Sequence, residues 1–172
     1  MEKSILISVR PENVVNILNG NKTLELRKSV PKNFIGWVYL YCSIGDYVLI
    51  DQEIEKEKYY NIEEARFLVG IDKHSNPKGF PRSVNGKVVA RFWFDEIEYV
   101  AEFSARALLI NALNRLCITE NEFKNYLKGK YGYAWCIKKL EIFDEPLMLS
   151  DFYKLEERQY SELVGTVYRH YS

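Results

Sequence analysis

The sequence predicts an α+β fold, in which strands form a curved sheet or a small barrel and two to three helices pack beside it. The strand-like segments follow one another without the regular crossover helices of a doubly wound sheet. Aromatic residues make up 15% of the chain, led by 13 tyrosines, and aromatic residues favour strands. Hydrophobic residues at 47% and charged residues at 28% are typical of a folded globular protein.

Length and charge bound the organisation of the chain. Its 172 residues are the size of one domain, so we predict a single domain over residues 1–172 with an insertion at about 44–86. The 24 basic residues balance 24 acidic ones, which argues against non-specific coating of nucleic acid. No apolar run approaches the roughly 18 residues of a membrane span, and the first residues lack a signal-peptide pattern. We therefore expect a cytoplasmic protein with no membrane partner.

The first elements are a strand and a helix. Ser4–Val9 is an apolar run rich in β-branched residues, which predicts a buried strand. A proline at the first helical position and Gly20 after the last turn bound a helix over residues 11–19.

Two further strands follow in the first fifty residues. Residues 23–27 alternate polar and apolar side chains, which predicts a half-buried strand with Leu24 and Leu26 facing inward. Residues 36–43 are aromatic and β-branched and predict a third strand. Residues 44–86 are less regular, with a charged stretch, a possible short helix near residues 62–69 and several turn signals, and we interpret them as an insertion.

The second half predicts two more strands and two helices. Residues 87–100 and 133–143 have strand-like patterns, and residues 104–116 have helical spacing. Thr119 and Glu122 match a capping box, so a short helix is predicted to end near Leu127. Residues 146–152 are predicted to leave the sheet.

The stretch that carries the most chemistry is Gly20-Asn21-Lys22-Thr23-Leu24-Glu25-Leu26-Arg27. The predicted strand places Glu25 and Arg27 on one face, where arginine donates to acceptors and glutamate accepts from amino groups, as on the edge of a nucleobase. Lys22 lies in the turn and can reach the same rim, where an amine can serve as a nucleophile or general base. The alternative is a solvated lysine followed by an exposed Glu–Arg pair of little consequence.

These residues resemble the G-x-K-x-x-E-x-R signature of the ASCH domain family, relatives of the PUA fold. Residues 5–11 resemble the family's opening strand, with Arg10 in place of lysine. Further stretches resemble later strands of the family: Val38-Tyr39-Leu40-Tyr41-Cys42-Ser43, Asn85-Gly86-Lys87-Val88-Val89-Ala90 and Gly132-Tyr133-Ala134-Trp135-Cys136-Ile137, followed by residues 143–152. The chain is most similar to the longer bacterial and phage-type members.

The resemblance implies a PUA-like small mixed β-barrel with helices at its side and a cleft for RNA or modified nucleosides. Six residues would line or border that cleft and bind the nucleotide: Arg10, Lys22, Glu25, Arg27, Tyr41 and Ser43. One branch of the family hydrolyses N4-acetylcytidine, with the motif lysine as a catalytic group and threonine at the position of Glu25. This chain has a carboxylate in place of that hydroxyl.

Other residue types give weaker signals. Tyr41, Tyr133 and Trp135 could stack on bases, although strand aromatics are usually core, which is also our expectation for Trp37 and Trp93. Lys128, Lys130, Lys138 and Lys139 could extend a basic rim or simply be solvated. The three cysteines form no C-x-x-C pair and the two histidines are isolated, so we expect buried free thiols, no metal site and no cofactor.

Three functions remain open from the sequence. The leading one is binding of RNA or a modified nucleotide at Lys22, Glu25 and Arg27. The alternative is a hydrolase acting on an acylated nucleoside or RNA, with Lys22 as base or electrophile and Glu25 as general base, to which Glu120 and Glu122 could add a carboxylate. The third is a protein-interaction module that docks through the insertion at residues 44–86.

Overall fold

The computed structural model describes residues 4–51, 66–72, 74–80, 82–154 and 166–170. These residues form three α-helices and eleven β-strands. The helices are α1 (Pro11–Leu18), α2 (Arg106–Leu116) and α3 (Glu120–Leu127). The strands are β1 (Ser4–Val9), β2 (Leu24–Arg27), β3 (Gly36–Cys42), β4 (Tyr47–Asp51), β5 (Arg66–Gly70), β6 (Lys87–Phe94), β7 (Ile97–Val100), β8 (Gly132–Cys136), β9 (Lys138–Met148), β10 (Phe152–Lys154) and β11 (Thr166–His170).

The described strands form three sheets. The largest has the order β10-β11-β1-β3-β6-β9, in which β1 and β3 are parallel and the other pairs are antiparallel. The second has the order β2-β8-β7, and β4 pairs with β5 in the third. The α+β class is confirmed, but the described sheets are not closed into a barrel, so that part of the prediction is wrong for them. The six-stranded sheet ends at β9 and β10 rather than pairing them.

Two long predicted strands are each split between two sheets. The chain leaves the six-stranded sheet after β6, turns at Asp95 and Glu96, and enters the three-stranded sheet as β7. It makes the reverse change at Ile137, between β8 and β9. A second correction concerns residues 146–152, because β9 continues through Pro146 to Met148 instead of leaving the sheet.

The three-stranded sheet is covered on one face and partly covered on the other. On one face, Leu24, Leu26 and Ala134 pack against the apolar sides of α2 and α3. On the other face, Trp135 joins a core formed by the six-stranded sheet and α1. The inward orientation of Leu24 and Leu26 is confirmed. The opposite face of β2, which carries Glu25, also lies inside the molecule, and this determines the nature of the site.

The described part of the predicted insertion contains a small separate sheet. Residues 66–70 are the strand β5, so the predicted helix near residues 62–69 is wrong there, and residues 62–65 lie outside the described residues. Asn85, which is buried, ties β4 to the end of β3: its Oδ1 accepts from Leu49 N at 2.8 Å, and its Nδ2 donates to the carbonyls of Ser43 and Tyr47.

The capping box on α3 is confirmed, with Thr119 Oγ1 accepting from Glu122 N. Two predictions about buried residues need correction. Cys42 and Cys136 are buried, whereas Cys117 is half-buried at the end of α2; all three thiols are free. Trp37 and Trp93 are half-buried on the outer face of the six-stranded sheet, where the Arg91 guanidinium lies 4.1 Å from the Trp37 ring.

Candidate functional site

The turn between α1 and β2 is fixed by backbone hydrogen bonds to both neighbouring helices. Gly20 ends α1 with φ of +77°, a left-handed conformation that glycine adopts without strain. Lys22 N then donates to Asn16 O, and Thr23 N donates to Arg115 O, both at 3.0 Å. The glycine of the motif therefore sets the direction in which Lys22 leaves the helix.

Lys22 is buried rather than solvated. Its side chain is 2% exposed, and Nζ donates to the carbonyl of Leu116 at 2.6 Å. Leu116 is the last residue of α2, where helix carbonyls lack partners and the helix dipole is negative. The lysine thus caps the C-terminus of a helix that is distant in the sequence.

Glu25 connects the lysine to the arginine. Its Oε2 lies 3.5 Å from Lys22 Nζ, and its Oε1 lies 3.1 Å from an Nη of Arg27. The Glu25 side chain is 9% exposed and that of Arg27 is 23% exposed. The three motif side chains form one ion-paired line, which runs from the end of α2 towards the surface.

Arg27 carries this line to the six-stranded sheet. The same Nη donates to the carbonyl of Ser8 in β1 at 3.2 Å. Arg27 Nε is buried and has no hydrogen-bond partner within the described part of the chain. The guanidinium therefore joins the two sheets and keeps one donor unused.

Two side chains, one on α3 and one at the end of α2, are influenced by these charges. Burial raises the pKa of the Tyr126 phenol, while nearby Arg27 acts in the opposite direction. Burial also raises the pKa of the Cys117 thiol, against the influence of Lys22. Lys28 Nζ lies 4.8 Å from the centre of the Tyr126 ring. Arg27 is thus the exposed end of the Lys22–Glu25–Arg27 line, and Lys28 and Tyr126 lie beside it.

The other predicted binding residues lie around the end of β1. Arg10 is exposed and is the N-cap of α1, two residues beyond Ser8. Tyr41 pairs with Ser8 in the register of β1 and β3. Its half-buried ring packs against an apolar cluster on the outer face of the six-stranded sheet, which contains Leu6, Tyr39, Val88 and Phe152. Ser43 N donates to Val9 O. Within the described residues, these side chains make no hydrogen bond or ion pair with the Lys22–Glu25–Arg27 line.

Several other predicted groups have separate structural tasks. Glu122 accepts hydrogen bonds from Thr119, which lower the pKa of the carboxyl group. Glu120 pairs with Arg106 and Lys124. Lys138 pairs with two acidic residues of the turn after β6. Trp135 is fully buried, as expected of a core residue.

Neither Tyr126 nor the two backbone carbonyls that receive Lys22 and Arg27 could be predicted from the sequence. Tyr126 carries no recognisable motif, and carbonyl contacts with Leu116 and Ser8 depend on the tertiary fold.

A cavity of about 430 Å³ lies elsewhere, between the segment after β2 and the turn after β6, and its lining includes Val30, Phe94 and Ile97 but none of the motif residues. Its acidic rim makes it a poor match for an anionic ligand.

Two further findings concern the described residues alone. No three His, Cys, Asp or Glu side chains among them are grouped so as to hold a metal ion. No described helix combines the length and the apolar character needed to span a lipid bilayer.

No protein-family model matches the chain, and no curated protein matches it. Solved structures do share its fold. The crystal structure of ASCH from Zymomonas mobilis aligns with a TM-score of 0.53 at 14% identity, over 86% of this chain and 74% of that chain. A tyrosine-to-phenylalanine mutant of that protein gives the same TM-score and identity over 87% and 78% of the two chains, and a serine-to-alanine mutant does so over 86% and 75%. The chain therefore has an ASCH-like fold, which agrees with the sequence resemblance.

Proposed function

We propose that this ASCH-like chain binds RNA or a modified nucleotide through the cluster of Lys22, Glu25 and Arg27. The observation that carries the proposal is the burial of two positive charges and one negative charge in a single ion-paired line. One positive charge has no counterpart inside the cluster. A ligand that brings an anionic or strongly polar acceptor to Arg27 would complete it.

Burying these three charges costs free energy, which suggests that the cluster has a role other than stabilising the fold. Removing ions from water costs several kcal/mol for each ion, and apolar residues of similar volume are often as stable in their place. Charged clusters in partly closed positions are therefore candidates for functional sites. The resemblance to the ASCH family implied a nucleotide ligand, and the ASCH-like fold supports that resemblance beyond the motif alone.

The three residues have different roles in this proposal. Arg27 is the contact group, since its side chain is the most exposed of the three. A guanidinium suits both phosphate oxygens and the acceptor edge of a base. Glu25 is a positioning residue, with one carboxylate oxygen on each cation, and Lys22 anchors the line to α2. Arg10, Tyr41 and Ser43 remain proposed contacts for the rest of the ligand.

The alternative is a hydrolase that acts on an acylated nucleoside or RNA. A general base must come within about 2.6–3.2 Å of the proton that it removes. The Lys22 side chain is 2% exposed and its Nζ is engaged by Leu116 O and Glu25, so the geometry favours binding. Incubation with N4-acetylcytidine and with single-stranded RNA, followed by mass spectrometry, tests this: we expect no product, and turnover would establish the hydrolase.

Binding itself is tested with two probes, a fluorescein-labelled single-stranded RNA octamer of mixed sequence and cytidine 5′-monophosphate. We expect Arg27→Gln to weaken binding of both by about 10-fold or more, as for loss of a hydrogen bond to a charged group. Arg106→Gln is the matched control, because Arg106 also pairs with a glutamate but is exposed elsewhere. Thermal unfolding of both variants monitors folding. Absence of binding by the unmodified protein, or equal affinities of the two variants, would contradict the proposal.

A further inference from the structure

Three tyrosine side chains form a continuous row on the three-stranded sheet. Tyr99 and Tyr133 lie opposite each other in the register of β7 and β8, and their ring centres are 5.4 Å apart. Tyr131, just before β8, continues the row with its ring centre 5.7 Å from that of Tyr133. Tyr133 is half-buried, whereas Tyr99 is 70% exposed and Tyr131 is 55% exposed. Core packing does not account for the two outer rings.

This tyrosine row lies directly beside the charged cluster. Arg27 is opposite Tyr133 in the register of β2 and β8, and opposite residues of an antiparallel pair project from the same face. Arg27, Tyr133 and Tyr99 therefore form one line across three strands. Glu25 occupies the next line on that face, opposite Trp135. A ligand bound at Arg27 would have aromatic rings as its immediate neighbours.

The charges around the tyrosine row favour an anionic chain. Lys28 follows Arg27, and Lys128 and Lys130 lie in the turn that leads to Tyr131; all three lysines are exposed. In the described part of the chain, Lys128 and Lys130 make no ion pair, and one carboxylate lies in the same turn, where Glu102 Oε1 accepts from Gly129 N at 3.2 Å. The two lysines still leave this turn with an excess of positive charge. The nearby Glu98 alternates to the other face of β7, where it pairs with Arg115 at 2.6 Å.

We propose that Tyr99, Tyr131 and Tyr133 stack on the bases of a single-stranded RNA that flank the nucleotide held at Arg27. This inference rests on the proposed function and specifies its ligand as a strand rather than a free nucleotide. Aromatic rings beside exposed lysines are the combination that holds single strands, because rings stack on bases of any sequence and lysines follow the phosphates. Neighbouring ring planes meet at 57° and 75°, so the rings present faces in different directions.

The phenol groups are suited to such a ligand. Tyrosine hydroxyls are neutral at physiological pH, so the row adds no negative charge near phosphates, and a hydrogen bond with Tyr131 raises the pKa of Tyr133 further. The two exposed tyrosines can be changed without disturbing the core. Tyr133, which packs partly against the core, is left intact in the experiment.

The experiment compares the RNA octamer with cytidine 5′-monophosphate in the double variant Tyr99→Leu/Tyr131→Leu. We expect the unmodified protein to bind the octamer at least about 10-fold more tightly than the mononucleotide. The double variant should lose about 10–100-fold in octamer affinity, as expected for loss of base stacking, and keep its affinity for the mononucleotide. Tyr99→Phe/Tyr131→Phe retains the rings and should bind the octamer as the unmodified protein does. Phe103→Leu, which removes another exposed aromatic ring, is the matched control.

The outcomes separate this inference from the proposed function. If the unmodified protein binds neither probe, both fail. If it binds both probes equally, or if the leucine double variant keeps full octamer affinity, the tyrosine row does not hold RNA and the proposed function stands. A loss of octamer affinity in the phenylalanine variant as large as that in the leucine variant would also overturn stacking, because it would assign the effect to the hydroxyl groups.

Discussion

The same three residue types, lysine, glutamate and arginine, form two ion-paired groups in opposite environments of this molecule. In each group the glutamate lies between the two cations. The buried triad is Lys22, Glu25 and Arg27, and the exposed triad is Arg106, Glu120 and Lys124. The side chains of the buried triad are 2–23% exposed, and those of the exposed triad are 31–67% exposed.

Distance alone would rank the two triads wrongly. The ion pairs of the exposed triad are shorter, at 2.6 and 2.8 Å, than those of the buried triad, at 3.1 and 3.5 Å. Water screens the exposed charges, and pairs of this kind contribute little to stability. The buried charges are poorly hydrated, so each depends on its partners. Environment, more than separation, therefore decides how much each triad matters.

The triads also differ in what else they hold. Lys22 and Arg27 each donate to a backbone carbonyl, at Leu116 of α2 and Ser8 of β1. The buried triad consequently connects a helix end, a turn and both larger sheets. The exposed triad connects the start of α2, at Arg106, with α3, where Glu120 lies in the first turn and Lys124 in the last turn.

The largest expected difference between the triads follows from removing the central charge. Glu25→Gln leaves Lys22 and Arg27 buried without a counter-charge, and we expect a loss of about 3–5 kcal/mol in the free energy of unfolding. Glu120→Gln should lose far less than Glu25→Gln, because water screens the ion pairs of the exposed triad. Urea unfolding followed by circular dichroism measures both. Equal losses in the two variants would show that burial does not distinguish the triads.

A smaller difference is expected when the lysines are replaced by methionine, which keeps most of the aliphatic volume. Lys22→Met leaves the Leu116 carbonyl without its side-chain donor, at a cost of about 1–3 kcal/mol. The loss is smaller than for Glu25→Gln because one positive and one negative charge remain, and the triad becomes neutral. Lys124→Met should show no measurable loss in the same urea titration. A loss for Lys22→Met larger than that for Glu25→Gln would indicate that anchoring to α2 outweighs charge balance.

The sequence predicted the local parts of the buried triad but not its burial. The stop at Gly20 and the inward orientation of Leu24 and Leu26 depend on neighbouring residues, and both are confirmed. The groups that cover the other face are distant in sequence: the Leu116 carbonyl is 94 residues from Lys22, and the Ser8 carbonyl is 19 residues from Arg27. An alternating pattern shows that a strand has two faces, and only tertiary packing shows that both are covered.

The same limit explains the errors in the fold. Residues 87–100 are strand-forming on both sides of Asp95 and Glu96, and the pattern gives no sign that β6 and β7 belong to different sheets. The change at Ile137 is similarly invisible, since β8 and β9 are both strands. The Thr119 capping box was predictable because all its hydrogen bonds are made within four residues.

The smallest expected effect concerns the titration of Glu120 in the exposed triad. Hydrogen bonds from Lys124 and Arg106 lower the pKa of Glu120 from 4.5 to about 2. A lowered pKa in the folded state means that this carboxylate favours folding above pH 4.5, and that its contribution is lost as the pH falls from 4.5 towards 2. The carboxyl carbon of Glu120, followed by NMR, should therefore titrate below pH 4.5 at low salt. In about 1 M NaCl, where the Debye length is about 3 Å, the midpoint should move towards 4.5 because the charges are solvated and screened. A midpoint that does not respond to salt would mean that this triad is shielded from water, and the contrast with the buried triad would disappear.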